Sequence, residues 1–184
     1  TEDERERFDA LAARFVPSRE WVGQDMDVQE EMKAMIGAAA AQLLLGLPSS
    51  ELPHFHRIII HRQHYRSART RKIHLGETRP ATGEIVISWN DLVFGYSNSH
   101  DAENVALHEL AHALWFENLK LGDRSEEWTD ERLARWNELA AQEIARIRQG
   151  EGRLLSAYAG TNEAEFFTVA VEFFFERPLA LRER

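Results

Sequence analysis

Apolar positions follow a helical rhythm at both ends of the chain and a strand rhythm in the middle. Over residues 2–15, Phe8, Leu11, Ala12 and Phe15 line one face of an otherwise charged segment that stops near Pro17, which predicts a short helix. From Asp27 to Leu47, Val28, Met32, Met35, Ile36, Ala39 and Leu43 return at helical spacing, and Gly46, Pro48, Ser49 and Ser50 close that element. The rhythm then changes. Arg57–His61 (RIIIH), Lys72–Leu75 and Glu84–Trp89 (EIVISW) are short and rich in β-branched residues, and Gly76, Pro80 and Gly83 separate the last two. Three or four strands are therefore expected there. A helix running to about Leu119 follows, with Ser99 or Asp101 able to cap it. Thr129 opens another, which carries Leu133, Trp136, Ala140, Ile144 and Ile147 on one stripe and ends before Gly150. The last helix starts near Thr161 or Asn162 and stops before Pro178.

The order helix, helix, strands, helices predicts an α+β fold, and 184 residues without an internal repeat or linker suit a single domain spanning 1–184. Composition narrows the chemistry. Thirty-one acidic against 22 basic residues give a formal charge of −9, which argues against nucleic acid as the main partner. No apolar run reaches the roughly 18 residues of a membrane span, and the first residues lack the pattern of a signal peptide. The chain begins at Thr1 rather than Met, so residues ahead of it are expected. The absence of cysteine removes disulfides, thiolate-ligated zinc and thiol nucleophiles, and suits a reducing, cytoplasmic setting. Eight histidines and 23 glutamates remain as metal-ligand candidates.

Spacing singles out a few of them. His108-Glu109-Leu110-Ala111-His112 is an HExxH motif inside a segment that already reads as helix. Residues four apart share a helical face, so both imidazoles can hold one zinc ion, while Glu109, turned off that line, can take a proton from water. The plain alternative is two surface histidines beside a solvated glutamate. A third ligand decides between them. The metzincin solution is closed, because position 118 is Asn and position 115 is Trp where that pattern needs His and Gly. The apolar last helix offers glutamates instead, and a carboxylate on such a helix is costly unless paired or bound to metal. Glu165 and Glu172 share a face with Thr168 between them, and Glu163 faces the other way. Glu165 also fits a capping box with Asn162, Glu172 reads as a supporting partner or a paired core carboxylate, and Glu163 as a favourable contact with the helix dipole.

The HExxH helix, together with Tyr158-Ala159-Gly160-Thr161-Asn162-Glu163-Ala164-Glu165-Phe166-Phe167 and the trailing Glu172-Phe173-Phe174, resembles the Mlc titration factor A family of zinc peptidases. Weaker matching blocks are Ala38–Leu47, Ile58–Ile60 and Ile87–Trp89. That family has a gluzincin-like site related to the catalytic domain of anthrax lethal factor, which Thr161–Phe167 (TNEAEFF) resembles most. The resemblance implies a zincin-like domain with a small mixed sheet packed on the HExxH helix. It makes His108, His112 and Glu165 the ligands of one zinc ion, Glu109 the general base and Tyr158 the hydroxyl that stabilises the oxyanion. It also implies a peptide or protein substrate and, from the family name, a transcriptional repressor as a partner to be sequestered. The chain departs from the family pattern at Leu110, where Phe is usual, at Ala113-Leu114-Trp115, and at Glu163, where Pro is common.

Other readings stand beside these. Tyr158 can equally be a packed aromatic with its hydroxyl at the surface. His54, His56, His61, His64 and His74 cluster around the strands without helical ligand spacing, either as polar positions on an exposed sheet face or as a second metal site. The five tryptophans read as core. The strand Glu84–Trp89 is expected to be an edge able to bind extended substrate, and Gly122–Trp128 or Phe94–His100 to cover the site. Hydrolysis of a non-peptide amide would use the same chemistry.

Overall fold

The computed structural model describes residues 1–47, 51–67, 70–98, 101–119, 129–152 and 154–182. Two helices come first, α1 (Glu2–Phe15) and α2 (Glu30–Leu44), with strand β1 (Glu20–Gln24) between them. The middle holds β2 (Arg57–His61), β3 (Tyr65–Arg66), β4 (Ile73–His74), β5 (Gly76–Arg79) and β6 (Glu84–Ser88). Helices α3 (Trp89–Ser97), α4 (Val105–Leu119), α5 (Asp130–Arg148), α6 (Glu163–Glu176) and α7 (Pro178–Arg182) follow, with a 3-10 turn at Ala157–Gly160 ahead of α6. The fold is α+β, as the element order predicts.

Local chemistry sets the helix starts. Thr1 and Glu4 form a reciprocal capping box on α1, Thr129 accepts from Arg132 N at α5, and Asn162 accepts from Glu165 N at α6. On α4 Asn104 Oδ1 accepts from Leu107 N at 3.2 Å, and Asp101, one of the two expected caps, instead accepts from Glu103 N and Asn98 Nδ2. Ser99 lies outside the described residues.

The main sheet has the order β1-β2-β6-β5, with β1, β2 and β6 parallel and β5 antiparallel to β6. Ile85, Val86 and Ile87 are consecutive and fully buried, the mark of a central strand covered on both faces. This corrects the expectation for Glu84–Trp89. β6 lies inside the sheet, Trp89 already begins α3, and the edges are β1 and β5. Gly76, expected to separate strands, is the first residue of β5, and the strand expected over Lys72–Leu75 is only the two-residue β4, which pairs with β3. β1, β3, β5, α3 and α7 lie outside the segments expected to form elements, and α2 is shorter than the Asp27–Leu47 expected for it.

Two apolar clusters hold these layers. The larger joins α1, α2, β2, β6 and α4, and includes Phe15, Ile36, Phe55, Ile60, Ile87 and Leu110. α4 is apolar on nearly every side and is enclosed by α2, α3, α6, β5 and β6, as such a helix must be. The smaller cluster joins Ala140, Ile144 and Ile147 of α5 to Ala159, Phe166 and Val169. Trp115 is buried, and Trp21, Trp89 and Trp136 pack against the larger cluster, so the described tryptophans act as core. Among the described residues no helix is long and apolar enough to cross a membrane.

Candidate metal centre

α4 carries His108 and His112 one turn apart, with ring centroids 4.8 Å from each other. The first turn of α6 brings Glu165 against them: its Oε2 lies 3.2 Å from His108 Nε2 and 3.2 Å from His112 Nε2. One ligand atom from each of the three residues lies within 4.8 Å of the others, and among the described residues this is the one such group. A tetrahedral ion about 2.0–2.1 Å from each ligand sets the ligand atoms about 3.3–3.4 Å apart, close to the two contacts observed. Glu165 Oε2 is also buried and meets neither ring in hydrogen-bond geometry. A buried oxygen left without a hydrogen bond between two imidazole nitrogens is satisfied by a cation held among all three. The donor set, two nitrogens and one oxygen, fits a divalent metal.

Supporting contacts orient the ligands. His108 Nδ1 donates to Glu172 Oε2 at 3.0 Å, which leaves Nε2 facing Glu165, and Glu172 Oε1 accepts from Asn104 N at 2.8 Å. Thr168 donates to the Glu165 carbonyl and lies 3.5 Å from His108 Nε2. Glu172 is thus the partner of an imidazole and stands apart from the converging triad. The capping alternative for Glu165 is half present: Asn162 Oδ1 accepts from Glu165 N at 3.0 Å, while the Glu165 carboxylate turns to the histidines. Glu163 sits exposed at the first position of α6. Burial pulls the Glu165 carboxyl up, but the two imidazoles outweigh it and hold the group well below the usual carboxylate range. Burial pulls His108 down, and the contacts with Glu165 and Glu172 outweigh it, so the imidazole is raised.

Glu109 follows His108 yet faces another way, as the spacing predicts. Its side chain is 6% exposed and packs against β5, where the Thr78 hydroxyl lies 2.8 Å from both Glu109 Oε2 and the Glu109 carbonyl. Burial raises its carboxyl, with His108, His112 and Thr78 pulling the other way. Tyr158 stands on the 3-10 turn before α6, its ring centroid 6.0 Å from that of His108 and its surface half exposed. Burial and the neighbouring Glu165 carboxylate push its hydroxyl up to about 12.

These residues border a cleft of about 980 Å³ whose walls include Ile73 and Leu75 beside β5, Phe94 of α3, and Leu155. Phe94, from the segment expected to cover the site, is 68% exposed at this cleft, whereas 99–100 and 122–128 lie outside the described residues. The strand-region histidines go separate ways. His54 Nε2 meets the Pro80 carbonyl, His61 stacks on Tyr65 at 4.0 Å, His74 meets Thr70, and His64 lies 3.8 Å from Asp91. His56 Nδ1 lies 3.1 Å from the His54 carbonyl. They do not converge on a common point. Gly76, Thr78 and Asn104 are contacts of the site that the sequence does not mark, since each reaches it through tertiary packing rather than a motif.

A family comparison adds to this geometry. Residues 1–184 match the sequence model of the family described as "Glucose-regulated metallo-peptidase M90". The chain belongs to that family. M90 membership implies a divalent metal, and His108, His112 and Glu165 form a group able to hold one. Relatives include the Mlc titration factor A of Edwardsiella ictaluri (strain 93-146), 28% identical over all of this chain and 76% of its own length. The protein of that name from Yersinia pestis (strain Pestoides F) is 24% identical over all of this chain and 73% of its own. An uncharacterized Synechocystis protein is 24% identical over 95% of this chain and 69% of its own.

Proposed function

We propose that this M90 chain is a zinc-dependent metallopeptidase that hydrolyses peptide bonds with one zinc ion held by His108, His112 and Glu165. The observation that carries the reading is the convergence of two imidazole nitrogens and a buried carboxylate oxygen at 3.2 Å, beside a second buried carboxylate that is not part of the group. Zinc bound there supplies Lewis acidity, polarising the scissile carbonyl and acidifying water.

The chain's own residues supply the remaining steps. Glu109 accepts the proton of the attacking water and passes it to the leaving amine, a role suited to a carboxylate raised by burial. The Tyr158 hydroxyl, which keeps its proton at neutral pH, donates to the developing oxyanion. Glu172 holds His108 in the tautomer with Nε2 turned inward. β5 pairs with β6 on one side and with no described strand on the other, so an extended substrate beside Glu109 would add to β5. The absence of cysteine accords with action in the cytoplasm.

The test is Glu109→Gln in the purified protein, with zinc content and cleavage of internally quenched peptides measured together. Zinc is retained and turnover disappears; a variant that still cleaves sinks the mechanism. The relatives' name points to a second role, sequestration of a transcriptional regulator. Regulator binding that is indifferent to both Glu109→Gln and zinc removal, with no peptide cleavage by the wild type, would favour that role.

A further inference from the structure

We propose that β5 positions the general base, with Gly76 making the space for the Glu109 side chain and Thr78 fixing its carboxylate. The inference rests on the proposed hydrolytic role of Glu109. Gly76 and Thr78 are two apart on a strand and so share a face, which is the face turned to α4. A Cβ built on Gly76 would come within 2.5 Å of Glu109 Cγ and 2.7 Å of Oε1. Any larger residue there must displace the glutamate. Two positions on, the Thr78 hydroxyl holds the other oxygen, Oε2, at 2.8 Å, and the same hydroxyl reaches the Glu109 carbonyl at 2.8 Å. The single hydroxyl proton is shared between these two acceptors, the end of the side chain and its own backbone carbonyl.

An edge strand makes a good template only if it is itself fixed, and β5 is. Its register with β6 runs from Gly76↔Ile87 to Arg79↔Glu84. Between the two positioning residues, Glu77 turns to the opposite face and is buried, accepting from Arg79 at 2.9 Å, Ser67 at 3.3 Å and Tyr65 at 3.4 Å. Arg79 also reaches Glu84 on β6. One face of the strand is thus locked by an ionic network while the other holds the base. Thr78 and Gly76 are positioning residues, acting on water through Glu109.

The experiment uses full-length zinc-loaded protein and the variants Thr78→Val, Thr78→Ser and Gly76→Ala. It reads zinc affinity by chelator competition, kcat and KM on a mixture of internally quenched peptides, and crystal structures. Thr78→Val keeps its zinc affinity and KM but loses kcat by roughly 10- to 100-fold, the cost of misplacing a reacting group by about 1 Å. Thr78→Ser, which keeps the hydroxyl, recovers most of that loss. Gly76→Ala loses kcat similarly, because the flexible glutamate yields before the backbone does, and it reads the same contact should Thr78→Val fail to fold. The Glu109 carboxylate is displaced in both structures. The proposal is overturned by a Thr78→Val protein with wild-type kcat, by parallel loss of zinc and turnover, or by an unmoved Glu109. If the wild type binds zinc but cleaves no peptide, the hydrolytic reading fails, and the crystal structures alone then decide whether β5 places Glu109.

Discussion

Two groups of histidines on this chain differ in arrangement, and the smaller group is the one that forms a site. His108 and His112 sit on an enclosed helix, and their ring nitrogens meet a buried carboxylate oxygen, Glu165 Oε2, that has no hydrogen bond of its own. The strand-region histidines are more numerous, yet each spends its ring on a local contact, with a carbonyl, a tyrosine face, a hydroxyl or a carboxylate. The difference shows what a metal site needs. The ligands must share a point, and leaving that point without an ion must carry a cost. The α4 pair meets both conditions because α6 delivers a buried Glu165 oxygen between the two rings.

The largest break in this comparison comes from the ligands themselves. Replacing His112 by Ala weakens zinc binding by more than the roughly 10- to 100-fold that an outer partner costs, whereas His61→Ala or His64→Ala leaves zinc stoichiometry unchanged, as measured by elemental analysis after dialysis. Glu172→Gln tests the outer partner. Zinc affinity falls about 10- to 100-fold in chelator competition, because His108 loses the acceptor that fixes its ring.

The pH response sharpens the contrast further. In metal-free protein His108 is raised, so its contribution to stability is complete below its ordinary value of 6.5 and is lost as pH climbs through the raised value. Glu165 is lowered, so its contribution is complete above 4.5 and is lost on acidification. Glu109, raised by burial, adds a decline that begins above 4.5 and ends at its raised value. Thermal melts of metal-free protein therefore peak between about 4.5 and 6.5 and fall at higher pH. The stabilisation from added zinc grows over that same rise, since the ion competes with protons for the imidazoles. The smallest effect belongs to the other group: His61→Ala removes a stacked contact with Tyr65 and lowers stability by about 0.5–1.5 kcal/mol in denaturant titration.

What could be read from the chain follows from how local each signal is. The two histidines and Glu109 stand out because a helix converts spacing into direction, and α1, α5 and α6 stand out because their stripes and caps are written in consecutive residues. β1 (EWVGQ) escaped because it carries little alternation and owes its place to parallel pairing with β2 across the α2 crossover. α3 escaped because β6 runs straight into it without a side-chain cap bond, and because Gly95 interrupts it. That glycine has a tertiary reason, since a Cβ there would come within 2.8 Å of the Glu103 carbonyl. The polar strand GETR gave no hint that two of its residues touch the base, for the contact depends on how the sheet edge lies against α4. The apolar run within Glu84–Trp89 reports burial, a property of central strands, and so points away from the edge position expected for it.

The division of the interior into two apolar clusters has a mechanical consequence for the site. His108 and His112 are rooted in the larger one, through the buried residues that surround them on α4. Tyr158 is adjacent to Ala159 in the smaller one, and Arg148 of α5 ties its turn down by bonds to the Gly160 and Thr161 carbonyls at 2.7 and 3.0 Å. The smaller cluster has fewer buried contacts, so it should open at a lower free energy. Amide exchange would then show Ala157–Gly160 releasing before α4, and each such opening would withdraw the tyrosine while both histidines stay in register. The protein would pass between a state with the tyrosine in place and one without it while the α4 helix stays folded.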